Sequence, residues 1–475
     1  MAVRQAAPAY SRTLVHPRAE LRDALRDASP VPFWLDAEHP ATRPPLDGDR
    51  TTDLLVVGGG FCGLWTALMA KERQPDREVV LIEGREIGWA ASGRNGGFLE
   101  ESLTHGEDNG RRHFADELAQ IETLAAENFA ELAATLDRYG IDAEYERDGV
   151  LTIATEPHQV AELRTAATPD APLLEGEELA AVTGSPVARA GILTRSGVAL
   201  VNPAKLAWGL KRACLELGVV IYEHTPATHL SRAGERVLVE TRAGRIVADR
   251  VALATNGFRS LLARTRLLTV PIYDYVLVTE PLTAQQLASI GWTGRHGMTD
   301  MSRQFHYYRK TADDRILWGG YDAVYHPGGR IRPEHDQRPE TFERLADHFF
   351  TAHPSLRGTR FTHAWGGMID MSTKFVSFQG TAFGGRVAYS AGYTGLGVGA
   401  TRFGANVMLD LLTGEPTART SLAFPTTIPF PIPPEPIASP AIAVIRAAIA
   451  RSDENGGRDG LLLRAMDAFG IGFDS

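Results

Sequence analysis

Short apolar runs alternate with stretches of helical spacing along most of the chain, and the first such set is the most regular. Residues 52–57 form an apolar run ending in Gly58-Gly59-Gly60, residues 64–71 are compatible with a helix, and residues 78–82 are again strand-like. The spacing predicts strand, glycine turn, helix, strand. From about 111 to 138, Phe114, Leu118, Ile121, Ala125, Phe129, Leu132 and Leu136 recur at steps of three and four, which predicts one long helix closed by Gly140. A turn at 146–149 leads into a strand at 150–153. A helix over 203–217, with Pro203 at its start and Gly218 past its end, feeds a strand at 219–222. Strands near 237–241 and 251–255 continue the alternation.

Between 270 and 320 the pattern turns β-rich, with strands at 273–279, 305–309 and 316–320, and it returns to a helix at 339–353. Strands near 361–364 and 387–390 follow, then a glycine cluster from Gly392 to Gly399 and a helix to about Leu412. The proline-rich stretch 425–440 reads as an extended strap. No repeat of 20 to 50 residues is visible.

Composition narrows the class. At 475 residues, with 44% hydrophobic and 23% charged positions, the chain resembles an ordinary globular enzyme in one or two interleaved domains. A net charge of −9 opposes nucleic acid and anionic lipid as partners, and no apolar run has the length of a membrane span. Cys62 and Cys214 form neither a disulfide framework nor a zinc set, so the expectation is a reducing, cytoplasmic compartment; the N-terminus has no apolar signal region. His306 and His363 are isolated, and no metal site is expected.

The candidate chemistry begins at Gly58-X-Gly60-X-X-Gly63. In such a turn the glycines give a tight bend, a close approach of backbone to pyrophosphate, and close packing of helix on strand, while Glu83, at the end of the next strand, takes the adenosine ribose. This pattern alone fits NAD and FAD equally. The loop Ser92-Gly93-Arg94-Asn95-Gly96-Gly97 offers amides, a hydroxyl and a guanidinium suited to a pyrophosphate and flavin ring. Gly392, Gly395 and Gly397 line a helix start whose positive end suits the charge that develops on a reduced flavin. Gly395-X-Gly397-X-X-Ala400 formally repeats the fingerprint, but no strand with a terminal acid follows it.

With these segments assembled, the chain resembles the FAD-dependent D-amino-acid oxidase (DAO) superfamily, and within it the γ-glutamylputrescine-oxidase-like branch, from about Phe33 onward. The likeness rests on 53–63, Glu83 with Ile87-Gly88, 92–97, the Asn202-Pro203 helix, 252–257, 315–320 and the Gly392 loop. It implies an α/β fold, a Rossmann-like FAD-binding domain of the GR2 type with a β-rich, mixed-sheet substrate domain. The expected division is an arm at 1–50, an FAD-binding domain from 51–104, 195–265 and 360–415, a substrate domain from 105–194 and 266–359, and a strap with C-terminal helices at 416–475. The resemblance further implies oxidation of the C–N bond of a primary or secondary amine to an imine, with O2 reduced to H2O2, and sets the Ala227 backbone against adenine.

Two departures from the family pattern matter. The late-strand cysteine that attaches flavin in some members is absent at 368–374, so FAD is expected to be non-covalent. The substrate-carboxylate arginine is absent at 365–369, which favours an amine over an amino acid unless Arg303 or Arg309 substitutes. Substrate-side candidates are Tyr307, Tyr308, Arg309, Trp365 and Lys374, with the lysine a cation that could assist O2. The alternatives are an amino-acid oxidase or dehydrogenase using another acceptor, an NAD enzyme, and a non-catalytic flavin-binding protein.

Overall fold

The computed structural model describes residues 8–468; the ends of the expected N-terminal arm and C-terminal helices lie outside the described residues. The first strand, Arg50–Val57, pairs in parallel with Val79–Ile82 on one side and Arg245–Leu253 on the other. Val220–Tyr222 and Val387–Ala391 extend this sheet in parallel, and Phe378–Ala382 closes one edge in antiparallel fashion. Strand side chains alternate between faces. Leu54 and Val56 therefore enter one core while Leu55 and Val57 enter another. The first core buries helices Phe61–Arg73, Pro203–Glu216 and Gly397–Thr413, whereas Ala227–Ala233 and Arg236–Thr241 form an antiparallel flap over the second.

A second eight-stranded sheet runs Phe361–Ser372, Thr269–Thr279, Ile316–Gly320, His306–Lys310, Gly297–Asp300, Val150–Ala154, Ala190–Thr194, Leu173–Leu174. All its pairs are antiparallel except Gly297–Asp300 with Val150–Ala154. Helix Pro339–Ala352 packs Phe342, Leu345, Phe349 and Phe350 into the core on its outer face.

Three placements correct the sequence-based division. Strand Phe361–Ser372 pairs along its length with Thr269–Thr279, so it belongs to the second sheet and the first sheet resumes only at Phe378. The single helix expected over 111–138 is two helices, Glu107–Phe114 and Leu118–Arg138. The break lets the Glu117 carboxylate accept the N–H groups of Ala423 (2.7 Å) and Phe424 (2.9 Å). The second of these helices buries Ile121, Leu124, Phe129, Leu132 and Leu136 in the first sheet's core, not beside the second sheet. Among the described residues no helix is long and apolar enough to cross a membrane.

Candidate functional site

Parallel register sets Val57 beside both Ile82 and Leu253, so the residues that follow, Gly58, Glu83 and Ala254, emerge together at the carboxyl edge of the sheet. Ligands of such sheets bind at that edge. Gly58 has φ +114°, and a Cβ there would lie 2.4 Å from the Ala254 carbonyl oxygen; a Cβ on Gly63 would lie 1.8 Å from the Gly58 oxygen. Only glycine lets the turn and the first helical turn approach this closely. Gly60 is the N-cap of helix Phe61–Arg73, whose first amide, Phe61 N–H, donates to Ser92 Oγ at 2.9 Å. The Glu83 carboxylate accepts from Gly59 N–H (2.6 Å), Arg85 N–H (2.9 Å) and Trp89 Nε1 (2.9 Å), which fixes it at the lip of the turn.

A buried ion pair braces this edge from behind. Lys211 Nζ lies 2.7 Å from Glu223 Oε2, and Glu223 also accepts from Arg43 N–H (2.5 Å) and Ile87 N–H (2.6 Å). Thr225 N–H then donates to the Glu83 carbonyl at 2.7 Å, which brings Ala227 to the same opening.

The 92–97 loop joins the two sheets. Arg94 Nη1 reaches Asp336 Oδ2 (2.5 Å) and the Gly366 carbonyl (3.1 Å), and its Nε donates to the Trp89 carbonyl (2.8 Å). The Asn95 side chain is spent locally, donating to the Ala91 carbonyl and accepting from Gly97 N–H (2.8 Å). At the far end, Gly395 and Gly397 lie at the start of helix Gly397–Thr413. The turn before it is held by buried Asp370, which accepts from Gly392 N–H (2.5 Å) and Tyr393 N–H (3.2 Å). Burial pushes the Asp370 carboxyl up to about 7, against the lowering effect of those donors.

These segments surround one cavity of about 2230 Å³. Gly58, Gly60, Glu83, Ser92, Arg94, Asn95, Gly96, Ala227, Gly395 and Gly397 line it, while Gly63, Gly93, Gly97 and Gly392 stand behind the wall as close-packed backbone. A bare glycine turn, a helix N-terminus and a carboxylate at the lip are the donors and acceptor that a dinucleotide's pyrophosphate and ribose need. The residues present therefore fit the ADP half of FAD.

The facing wall is the inner surface of the second sheet. Residues 270, 272, 274 and 276 of strand Thr269–Thr279 line it, and all are apolar except Asp274. Asp274 accepts a short hydrogen bond from the Tyr307 hydroxyl and a second bond, 2.8 Å, from Tyr275 N–H. Burial pushes its carboxyl up to about 6, and burial beside Asp274 raises Tyr307 well above its ordinary range. A ring edge of Tyr307 would lie 2.6 Å from a Cβ on Gly96, so the pair sits against the 92–97 loop. The sequence singles out Tyr307 but not Asp274. The one signal was a lone acid at an alternate-position site within an otherwise apolar strand.

Four sequence-predicted candidates lie outside this wall, and their placement corrects the expectation that they are substrate-side. Tyr308 points to the outer face, its ring centroid 4.4 Å from that of Trp318 at a tilt of 37° and edge-on to Trp292. Arg309 is fully buried behind Gly97, donating to the Val201 carbonyl at 2.7 Å with its guanidinium over Trp34, and burial lowers it to about 10. Trp365 donates to the Arg94 carbonyl at 3.0 Å from within an apolar cluster. Lys374 turns its ammonium to the Phe114 ring, 5.9 Å from the centroid. Arg303 does reach the cavity wall, paired with Asp459 at 2.9 Å.

Comparison with known proteins agrees with this geometry. Residues 53–411 match the DAO family, described as FAD dependent oxidoreductase. The gamma-glutamylputrescine oxidoreductase of Escherichia coli (strain K12) is 29% identical over 397 residues, 81% of this chain and 89% of that protein. A probable oxidoreductase, OrdL, of Haemophilus influenzae is 24% identical over 390 residues, 78% of this chain and 85% of that one. Among solved structures, L-proline dehydrogenase from P. horikoshii superposes with a TM-score of 0.62 at 17% identity, covering 79% of this chain and 96% of its own. With three quarters of its length matched and the nucleotide-binding edge built as described, the chain belongs to the FAD-dependent oxidoreductase (DAO) family.

Proposed function

We propose that the protein is an amine oxidase that holds FAD non-covalently, oxidises the C–N bond of a primary or secondary amine to an imine, and uses O2 as electron acceptor. The observation that carries this reading is the acid on the inner wall. A substrate α-carboxylate facing the 92–97 loop would need a cation opposite it; the strands of the second sheet present the Asp274–Tyr307 pair there, and the arginines that reach the cavity from neighbouring loops, Arg303 and Arg332, are already paired with Asp459 and Glu334. An ammonium is the complementary ligand.

When bound, FAD supplies the acceptor for the hydride of the amine's α-carbon, and O2 takes the two electrons on to H2O2. The chain's residues do the rest. Asp274 holds the incoming ammonium, and burial, which raises its carboxyl to about 6, makes it a stronger base than an exposed aspartate. Tyr307 orients that carboxylate through its hydroxyl. The proton shed as the amine becomes neutral goes to Asp274, and the apolar neighbours Ile272 and Val276 limit water at the reacting carbon. A non-covalent cofactor agrees with Met368 at the late-strand position and with the two buried cysteines, Cys62 and Cys214.

The test is anaerobic mixing of the FAD-loaded protein with amines and amino acids. Bleaching of flavin absorbance by amines, followed by one equivalent of peroxide on admitting air, is expected. Bleaching without peroxide would make it a dehydrogenase, and no bleaching across the panel would make it a flavin-binding protein without this activity. Acid precipitation should leave all the flavin in the supernatant.

A further inference from the structure

The family match stops at residue 411, yet the cavity wall continues beyond it. Helix Ala438–Glu454 places Ile442, Ile445 and Ile449 at spacings of three and four, which is one helical face, and that face lines the cavity. Ile432 of the proline-rich strap and Leu462 and Met466 of helix Leu461–Ala468 complete an apolar surface. Several charged groups of the same segment fasten it. Arg446 Nη2 donates to Asp322 at 3.0 Å, Asp453 accepts from Arg303 N–H (3.1 Å) and Gln304 N–H (3.2 Å), and Asp459 pairs with the Arg303 guanidinium. Glu435 accepts from the Tyr325 hydroxyl (2.8 Å) and Gly328 N–H (3.0 Å), anchoring the strap.

We infer that this C-terminal segment is a hydrocarbon-binding subsite, so that the protein takes amines with an unbranched or aryl apolar tail in preference to polyamines or amines with a carboxylate tail. The inference rests on the amine reading above. One cavity joins two unlike surfaces: Asp274 and Tyr307 for the ammonium, and the isoleucine face for whatever the amine carries. A second ammonium or a carboxylate against that face would lose its hydration, and the charged groups beside it, Asp453 and Arg446, are already engaged by the Arg303 and Gln304 N–H groups and by Asp322. The competing feature is the Arg446 guanidinium, which shares Asp322 with Arg338 and Arg344; a carboxylate tail would seek it.

Equilibrium binding of n-butyl-, n-hexyl- and n-octylamine to the FAD-loaded protein, read by calorimetry, tests the subsite apart from the chemistry. Affinity is expected to rise about fourfold per methylene, with putrescine and γ-glutamylputrescine weaker than octylamine. Ile445→Asp should abolish the rise and Ile445→Ala should reduce it, the milder variant standing if the first fails to fold. An affinity independent of chain length, or tighter binding of γ-glutamylputrescine than of octylamine, would overturn the inference. If chain length governs affinity but no amine bleaches the flavin, the subsite stands and the amine-oxidase reading falls.

Discussion

At the scale of single residues, the glycine turn makes the sharpest demand. A Cβ on Gly63 would sit 1.8 Å from the Gly58 carbonyl oxygen and 3.0 Å from its carbon, backbone atoms that cannot swing aside as a flexible side chain would. Gly63→Ala is therefore expected to lose FAD retention and to destabilise the fold, seen as colourless protein after gel filtration and a lower unfolding midpoint. Asp370 makes a different demand. Its folded carboxyl, raised to about 7, keeps its proton over a range in which the unfolded chain has already released one. That contribution to stability is complete below the usual carboxylate range and is lost as pH rises through about 7. Asp370→Asn has no such proton to lose. The stability of the variant relative to the parent should thus climb between pH 4 and 7, approaching about 1.4 kcal/mol per pH unit; urea unfolding at several pH values measures this, and a flat difference would mean that Asp370 ionises normally. Most cofactor-side residues were legible because their roles follow from local sequence: a glycine where only glycine fits, an acid at a strand end. Tyr308, Arg309, Trp365 and Lys374 were not, because whether a side chain lines a cavity or a core depends on what lies across from it.

At the scale of elements, the carboxyl edge of the first sheet depends on a buried pair that joins helix Pro203–Glu216 to the stretch after strand Val220–Tyr222. Lys211→Met would leave the Glu223 carboxyl buried without its main cation. Removing one partner of such a pair costs on the order of 3–5 kcal/mol. The variant is expected to unfold at lower urea and, because Glu223 also holds Ile87 N–H, to bind FAD more weakly; unchanged stability would mean that Arg43 and Ile87 N–H suffice. The strands and helices near the fingerprint were legible from alternation and glycine punctuation. The break at 115–117 was not, since Phe114 and Leu118 continue the helical period across it and the reason for the break lies some three hundred residues away, at Ala423 and Phe424.

At the scale of the whole molecule, both sheets contribute walls to one cavity, so a ligand there stabilises the assembled unit. Free FAD at a hundred times its dissociation constant should add about 2.7 kcal/mol to the unfolding free energy. Calorimetry should accordingly record an upward shift in the unfolding midpoint, and its absence at saturating FAD would contradict a pre-formed site. Strand Phe361–Ser372 illustrates why the division into parts escaped sequence reading: its alternation identifies a strand, but either sheet would accept the pattern, and only pairing with Thr269–Thr279 assigns it.

By itself the sequence determined the βαβ unit, its glycine fingerprint and the acid at Glu83, because turn geometry and strand-end chemistry are local and leave few residue types free. Tertiary structure alone decided that Asp274 faces the cavity opposite them and that the strap and final helices form its far wall. These last facts are contacts between segments far apart in the chain, and no periodicity within a segment records which surface it will meet.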